Sequence, residues 1–66
     1  MELFEATKKG HCAICGAKIK DGWYAKKPEY EDGTLYKYFT CCACGYDGED
    51  IYNANHIYIG TNGWVG

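Results

Sequence analysis

Two short stretches, Cys12-Ala13-Ile14-Cys15-Gly16 and Cys41-Cys42-Ala43-Cys44-Gly45, repeat the pattern C-x-x-C-G within one chain of 66 residues. Two residues between cysteines let both sulfurs of a tight turn face one ion. The glycine that follows allows a left-handed backbone, so that amides point at the sulfurs. Two such turns supply four thiolates. That set suits zinc, which accepts soft sulfur ligands and imposes no geometric preference of its own. The expected ligands of one structural Zn2+ are therefore Cys12, Cys15, Cys41 and Cys44. Free cysteines are often buried in cores, but a core needs neither the repeated spacing nor the repeated glycine.

The chain has five cysteines, so one is left over. In the other register, Cys42-Ala43-Cys44 has a single spacer, which makes Cys41 and Cys44 the expected pair and Cys42 a bystander thiol. His11 abuts Cys12 and would compete with it for space. His56 sits in strand context, and both histidines read as surface or supporting residues.

Size points the same way. A chain of 7.4 kDa makes one domain, residues 1–66. So small a fold leaves much of its surface exposed and needs a staple beyond its apolar core. Seven lysines and no arginine stand against nine acidic residues, for a net charge of −2. Residues 1–30 hold six Lys and four acids, while residues 31–66 hold one Lys and five acids. A closed four-thiolate centre with a divalent ion brings the total to about −4. A protein that grips phosphates is expected to carry a stripe of Lys and Arg, and Arg is absent. Nucleic acid is thus the disfavoured partner. The segment Met1-Glu2-Leu3-Phe4-Glu5 is too acidic for a signal peptide, and no apolar run reaches the length of a membrane span. A cytoplasmic setting is expected, where thiols stay reduced and paired cysteines bind metal.

The turn dipeptides Asp21-Gly22, Asp32-Gly33, Asp47-Gly48 and Asn62-Gly63 divide the chain into strand-length pieces. Trp23–Lys27, stopped by Pro28, and Thr34–Thr40, rich in strand-favouring residues, flank Glu31-Asp32-Gly33 and should pair as an antiparallel hairpin. A third strand is expected at His56–Ile59, with Trp64 and Val65 following the Asn62-Gly63 turn. Residues 49–56 could form a turn or two of helix. The fold class is small β, stabilised by metal.

With its two knuckles and intervening hairpin, the chain resembles the zinc ribbon family over residues 11–45. The resemblance implies a structural four-cysteine zinc site and an antiparallel hairpin plus a third strand. It does not imply a particular partner, because ribbons serve in transcription factors, polymerase subunits, ribosomal proteins and many small bacterial and phage proteins. Rubredoxin is a second resemblance, and it implies iron and electron transfer. Here, however, Cys42 stands where a proline normally follows the first cysteine of the second motif. The ligand set serves iron as well as zinc.

No enzyme is expected. The chain has no serine, and a metal closed by four cysteines offers no open position to water or substrate. Asp21, Asp32 and Asp47 precede glycines and read as turn residues. Glu49-Asp50 reads as a solvated acidic pair, and nothing indicates a small-molecule substrate. Seven Tyr, two Trp and two Phe exceed what so small a core buries. Tyr36 and Tyr38 fall on one face of their strand, opposite Leu35, Lys37 and Phe39. With Trp23 and Tyr24 they are the candidate partner-binding residues, because leftover Tyr and Trp favour protein contacts. The expected function is a protein-binding module that regulates transcription or replication, as an adaptor or small inhibitor. The alternative is a ribbon that stacks single-stranded nucleic acid on aromatics interleaved with Lys26, Lys27 and Lys37.

Overall fold

The computed structural model describes residues 2–65; the two ends of the expected 1–66 unit, Met1 and Gly66, lie outside the described residues. Five strands, β1 (Glu2–Ala6), β2 (Glu29–Glu31), β3 (Thr34–Thr40), β4 (Asp47–Tyr52) and β5 (Tyr58–Val65), form one antiparallel sheet in the order β1-β5-β4-β3-β2. A single 3-10 turn, Asp21–Trp23, is the helical element among the described residues. The small β class holds, with five strands rather than the three read from sequence.

The β2–β3 hairpin forms where expected. Asp32 and Gly33 take φ of 51° and 80°, the two positive values that a two-residue hairpin turn requires, and close the Glu31–Thr34 pair. The partner of β3 is a correction. Trp23–Lys27 is not a continuous strand: Trp23 ends the 3-10 turn, and the segment touches β3 at a lone Tyr24–Phe39 bridge. There the Ala25 amide donates to the Tyr38 carbonyl at 2.8 Å. The two-residue turn starts β2 at the near end of β3, and Pro28, lacking an N–H, interrupts the ladder between the two stretches. Each stretch pairs with its own half of β3.

Two expected turns are strand instead. Asp47-Gly48 opens β4, and Asn62-Gly63 lies inside β5, where Gly48 and Gly63 pair with each other. Both glycines are buried, and neither has a positive φ. What they supply is a missing Cβ. At Gly63 it would stand 3.1 Å from Ile14 Cγ1 and 3.4 Å from Ala13 Cβ, so the first knuckle rests on this bare spot of the sheet. The strand expected at His56–Ile59 begins only at Tyr58 and runs on to Val65. Residues 49–52 are strand, not helix, and a turn at Asn53–His56 follows. There Asn53 Oδ1 accepts from the amides of Asn55 and Ile57, and His56 sits at φ 62°.

The buried centre lies between the sheet and the first knuckle. It comprises Cys12, Ile19, Phe39 and Cys41, flanked by Ile14, Ala17, Trp23, Tyr24 and Cys44. The cysteines are therefore part of the core, as a small domain with little else to bury requires.

Candidate metal centre

Both knuckles are built by the same backbone bonds. In the first, the Cys12 amide donates to the Ala17 carbonyl at 2.9 Å and the Gly16 amide to the Cys12 carbonyl at 2.9 Å. In the second, the Cys41 amide donates to the Tyr46 carbonyl at 2.8 Å and the Gly45 amide to the Cys41 carbonyl at 2.6 Å. Gly16 and Gly45 lie at φ 78° and 82°, a conformation that costs an L-residue energy and glycine nothing. The Ile14 amide points at Cys12 Sγ, 3.4 Å away. The glycine and the spacing thus act as the sequence implied.

The sheet then brings the two turns together, because the second knuckle links β3 to β4 and the first packs on β5. The Sγ atoms of Cys12, Cys15, Cys41 and Cys44 all lie within 4.8 Å of one another. Cys12 and Cys44 are separated by 3.8 Å, and Cys15 and Cys41 by 3.6 Å. Sulfurs placed about 2.3 Å from a zinc ion at tetrahedral corners stand ~3.8 Å apart. The donor set therefore fits one tetrahedral metal ion. Its ligands alternate from buried (Cys12, Cys41) to exposed or half-buried (Cys15, Cys44), so the centre sits at the edge of the core.

Proton affinities in the cluster are split. Burial pushes Cys41 up, but amides of Cys44 and Ala43 and the thiols of Cys15 and Cys44 favour its thiolate more, bringing it to about 7. Burial pushes Cys44 up, and the neighbouring Cys41, Cys15 and Cys12 sulfurs add to this against the Tyr46 amide, giving about 12. At Cys15 the Ala17 amide favours the thiolate, yet burial and the Cys41 and Cys12 sulfurs raise it above the ordinary thiol value. One thiolate is easily formed, and its charge resists the next. A divalent cation at the centre removes that repulsion.

Cys42 is exposed, and its sulfur faces the Thr40 carbonyl at 3.9 Å. It does not belong to the cluster. His11 Nδ1 lies 3.1 Å from the Lys9 carbonyl oxygen, and His56 is in the Asn53–His56 turn, so neither histidine joins the cysteines.

The aromatic candidates separate. Tyr36 and Tyr38 share the outer face of β3 and stack, with ring centres 6.4 Å apart and planes at 25°. Tyr24 is turned the other way. Its ring meets Phe39 edge-on at 5.6 Å, and its hydroxyl donates to Asp50 Oδ2 at 2.6 Å. Trp23 packs against the core beside it. Burial, and then the Asp50 hydrogen bond and charge, hold the Tyr24 phenol well above the usual tyrosine range.

Asp50 is the residue that sequence reading misplaced. Taken as one of a solvated pair with Glu49, it is 1% exposed. Thr61, also 1% exposed, donates its hydroxyl to Asp50 Oδ1 at 2.6 Å, and Tyr58 shares a short hydrogen bond with Thr61. A buried carboxylate is tolerated when hydrogen-bonded this way. The available signal was the alternation in Asp47-Gly48-Glu49-Asp50-Ile51-Tyr52, where Gly48, Asp50 and Tyr52 form the buried half.

Directly opposed residues of antiparallel strands share a face. The strand register therefore puts Glu5, Glu29, Glu31, Asp47 and Glu49 on the outer face with Tyr36, Tyr38 and Trp64, and puts no lysine there. No helix among the described residues is long and apolar enough to cross a membrane. Compared with known proteins, the chain matches no family model, no curated protein and no solved structure.

Proposed function

We propose that the protein is a non-enzymatic module of the zinc-ribbon type, in which one Zn2+ on Cys12, Cys15, Cys41 and Cys44 fixes a small sheet for binding a protein partner. The observation that carries this reading is the closed cluster of four sulfurs on two like knuckles. All four donors are protein thiols, so an ion held there has a structural role rather than an open position for substrate. The outer face supplies the contact surface, with the stacked Tyr36 and Tyr38 set among Glu29, Glu49 and Asp47. Half-exposed tyrosines are effective anchors at protein interfaces, and surrounding acids steer a basic partner. An adaptor or small inhibitor acting on the basic surfaces of transcription or replication machinery fits this chemistry.

The test has two arms. Elemental analysis of protein expressed without added metal should return one zinc per chain, whereas iron with a red colour would move the reading to an electron carrier. Metal-loaded protein should capture a protein from native lysate, and should bind single-stranded DNA or RNA weakly. Tight, steeply salt-dependent binding to single strands that falls when Lys26, Lys27 or Lys37 is neutralised would replace the protein-binding reading.

A further inference from the structure

Next to the second knuckle, the N-terminal end of β4 and the C-terminal end of β5 border a cleft of about 280 Å³. The residues that line it include Trp23, Tyr38 and Trp64, with Thr40 and Asp47 among them. We infer that this cleft is a receptor for one cationic side chain, a lysine or arginine, presented by a protein partner. The inference rests on the protein-binding reading above and names the chemistry that the partner must bring.

Aromatic faces attract cations through the ring quadrupole, most strongly at tryptophan. Trp23 comes from the 3-10 turn, Tyr38 from β3 and Trp64 from β5, so three separate segments each contribute an aromatic residue to the lining. The Trp23 ring already draws a cation from this chain: Lys20 Nζ lies 5.6 Å from its centre, and Lys20 does not line the cleft.

Asp47 supplies the charge. Thr40 Oγ1 donates to its Oδ1 at 2.8 Å, which orients the carboxylate and leaves Oδ2 for an incoming N–H. A charge-assisted hydrogen bond beside aromatic walls discriminates a cation from a neutral side chain of the same length. The volume lies just below the range of ~300–1,000 Å³ typical of drug-sized ligands, and it suits a single side chain. Glu49 stands beside Tyr38, and on the outer face the paired strands carry acids without lysine. A nucleic-acid strand would bring phosphates against those acids, whereas a basic protein segment is attracted by them.

Both tryptophans of the chain line the cleft, so their fluorescence reports its occupancy directly. Zinc-loaded full-length protein is titrated at constant ionic strength with a short peptide bearing one lysine, with its arginine counterpart, and with the same peptide acetylated on the lysine. The first two should give a saturable change, and the neutral peptide should bind about tenfold more weakly or worse. Asp47→Asn keeps an oxygen for Thr40 and should weaken the lysine peptide by about fivefold or more, while Glu31→Gln, paired with Thr34 at the opposite end of β3, should leave it unchanged. Zinc content and circular dichroism of Asp47→Asn establish that it is folded.

Equal binding of the acetylated peptide, or an unchanged affinity in folded Asp47→Asn, would overturn the assignment. So would an oligothymidylate that produces the same fluorescence change and displaces the lysine peptide. A captured protein that binds Asp47→Asn as well as the parent chain removes the cleft assignment and leaves the protein-binding reading standing. A chain that binds the lysine peptide but captures no protein supports the cleft and removes the partner reading.

Discussion

Phe39 lays its ring on the bare backbone of Gly48, its partner across β3 and β4. A Cβ at position 48 would stand 2.6 Å from Phe39 Cζ and 2.6 Å from the Asn62 carbonyl oxygen. Real Cβ atoms do not approach other atoms that closely, and backbone on one side with a buried ring on the other leaves little room to yield. Gly48→Ala should therefore destabilise the zinc-loaded protein by ~1–3 kcal/mol, the usual cost of overpacking. Denaturant unfolding checks it, with a shifted midpoint and an unchanged slope. Had Gly48 been the turn residue that Asp47-Gly48 suggests, the methyl group would have met open space.

The four thiols should be unequal to the fifth. Because the cluster forms much of the core, the metal's binding free energy is largely folding free energy. Cys15→Ser and Cys44→Ser should lose zinc and unfold the sheet, as should strong chelation, whereas Cys42→Ser should keep metal content and fold. Zinc stoichiometry with circular dichroism decides between them. Loss of zinc in Cys42→Ser with retention in Cys41→Ser would reverse the assigned register.

Zinc affinity should fall steeply with falling pH. Thiols must lose their protons to ligate, and Cys44 is held up to about 12 and Cys15 above the ordinary thiol value, so loading releases protons. Competition against a chelator of known affinity at about pH 6 and about pH 8 measures the slope. A pH-independent affinity would mean that the cluster does not bind metal as thiolates.

The Asp50 network should be costly to break and should mark the alkaline limit of stability. Thr61→Val removes one of the hydroxyls that satisfy this buried carboxylate and should cost ~1–3 kcal/mol. Tyr24 has its phenol pKa raised by burial and by Asp50, so the fold favours the neutral phenol. Its contribution is fully present below the unfolded value of about 10 and is lost as pH rises from there toward the folded value. Stability measured from about pH 8 to about pH 11 should decline, and Tyr24→Phe should remove part of that decline. An identical slope in the variant would exclude Tyr24 as its source.

On the outer face, replacing Tyr36 or Tyr38 with Ala should leave zinc and fold intact. If either ring anchors a partner, affinity for the captured protein should fall by ~1–3 kcal/mol. Calorimetry on the isolated pair measures it. Asp47→Asn and Glu49→Gln should reduce the association rate and its salt dependence, whereas Asp50, sealed inside, belongs to stability and not to steering.

Local chemistry decided what was legible in the chain itself. Ligand spacing, the glycine after each pair and the Asp32-Gly33 turn act over five residues or fewer, so Cys12, Cys15, Cys41, Cys44 and the start of β3 could be placed without knowing their neighbours. The same dipeptide chemistry misled at Asp47-Gly48 and Asn62-Gly63. A glycine signals only that the backbone is permissive. Whether that permits a positive φ, as at Gly33, or a missing Cβ, as at Gly48 and Gly63, depends on what packs against it. Phe39 and the Ala13-Ile14 knuckle tip come from other parts of the chain, so that decision belongs to tertiary structure. The edge strand β1 pairs with β5 from the opposite end of the chain, and no pattern within Glu2–Ala6 encodes that partner. Asp50 carries the same lesson in polar form: a carboxylate reads as solvated until Tyr24 and Thr61, brought from a loop and a later strand, supply the hydrogen bonds that let it be buried.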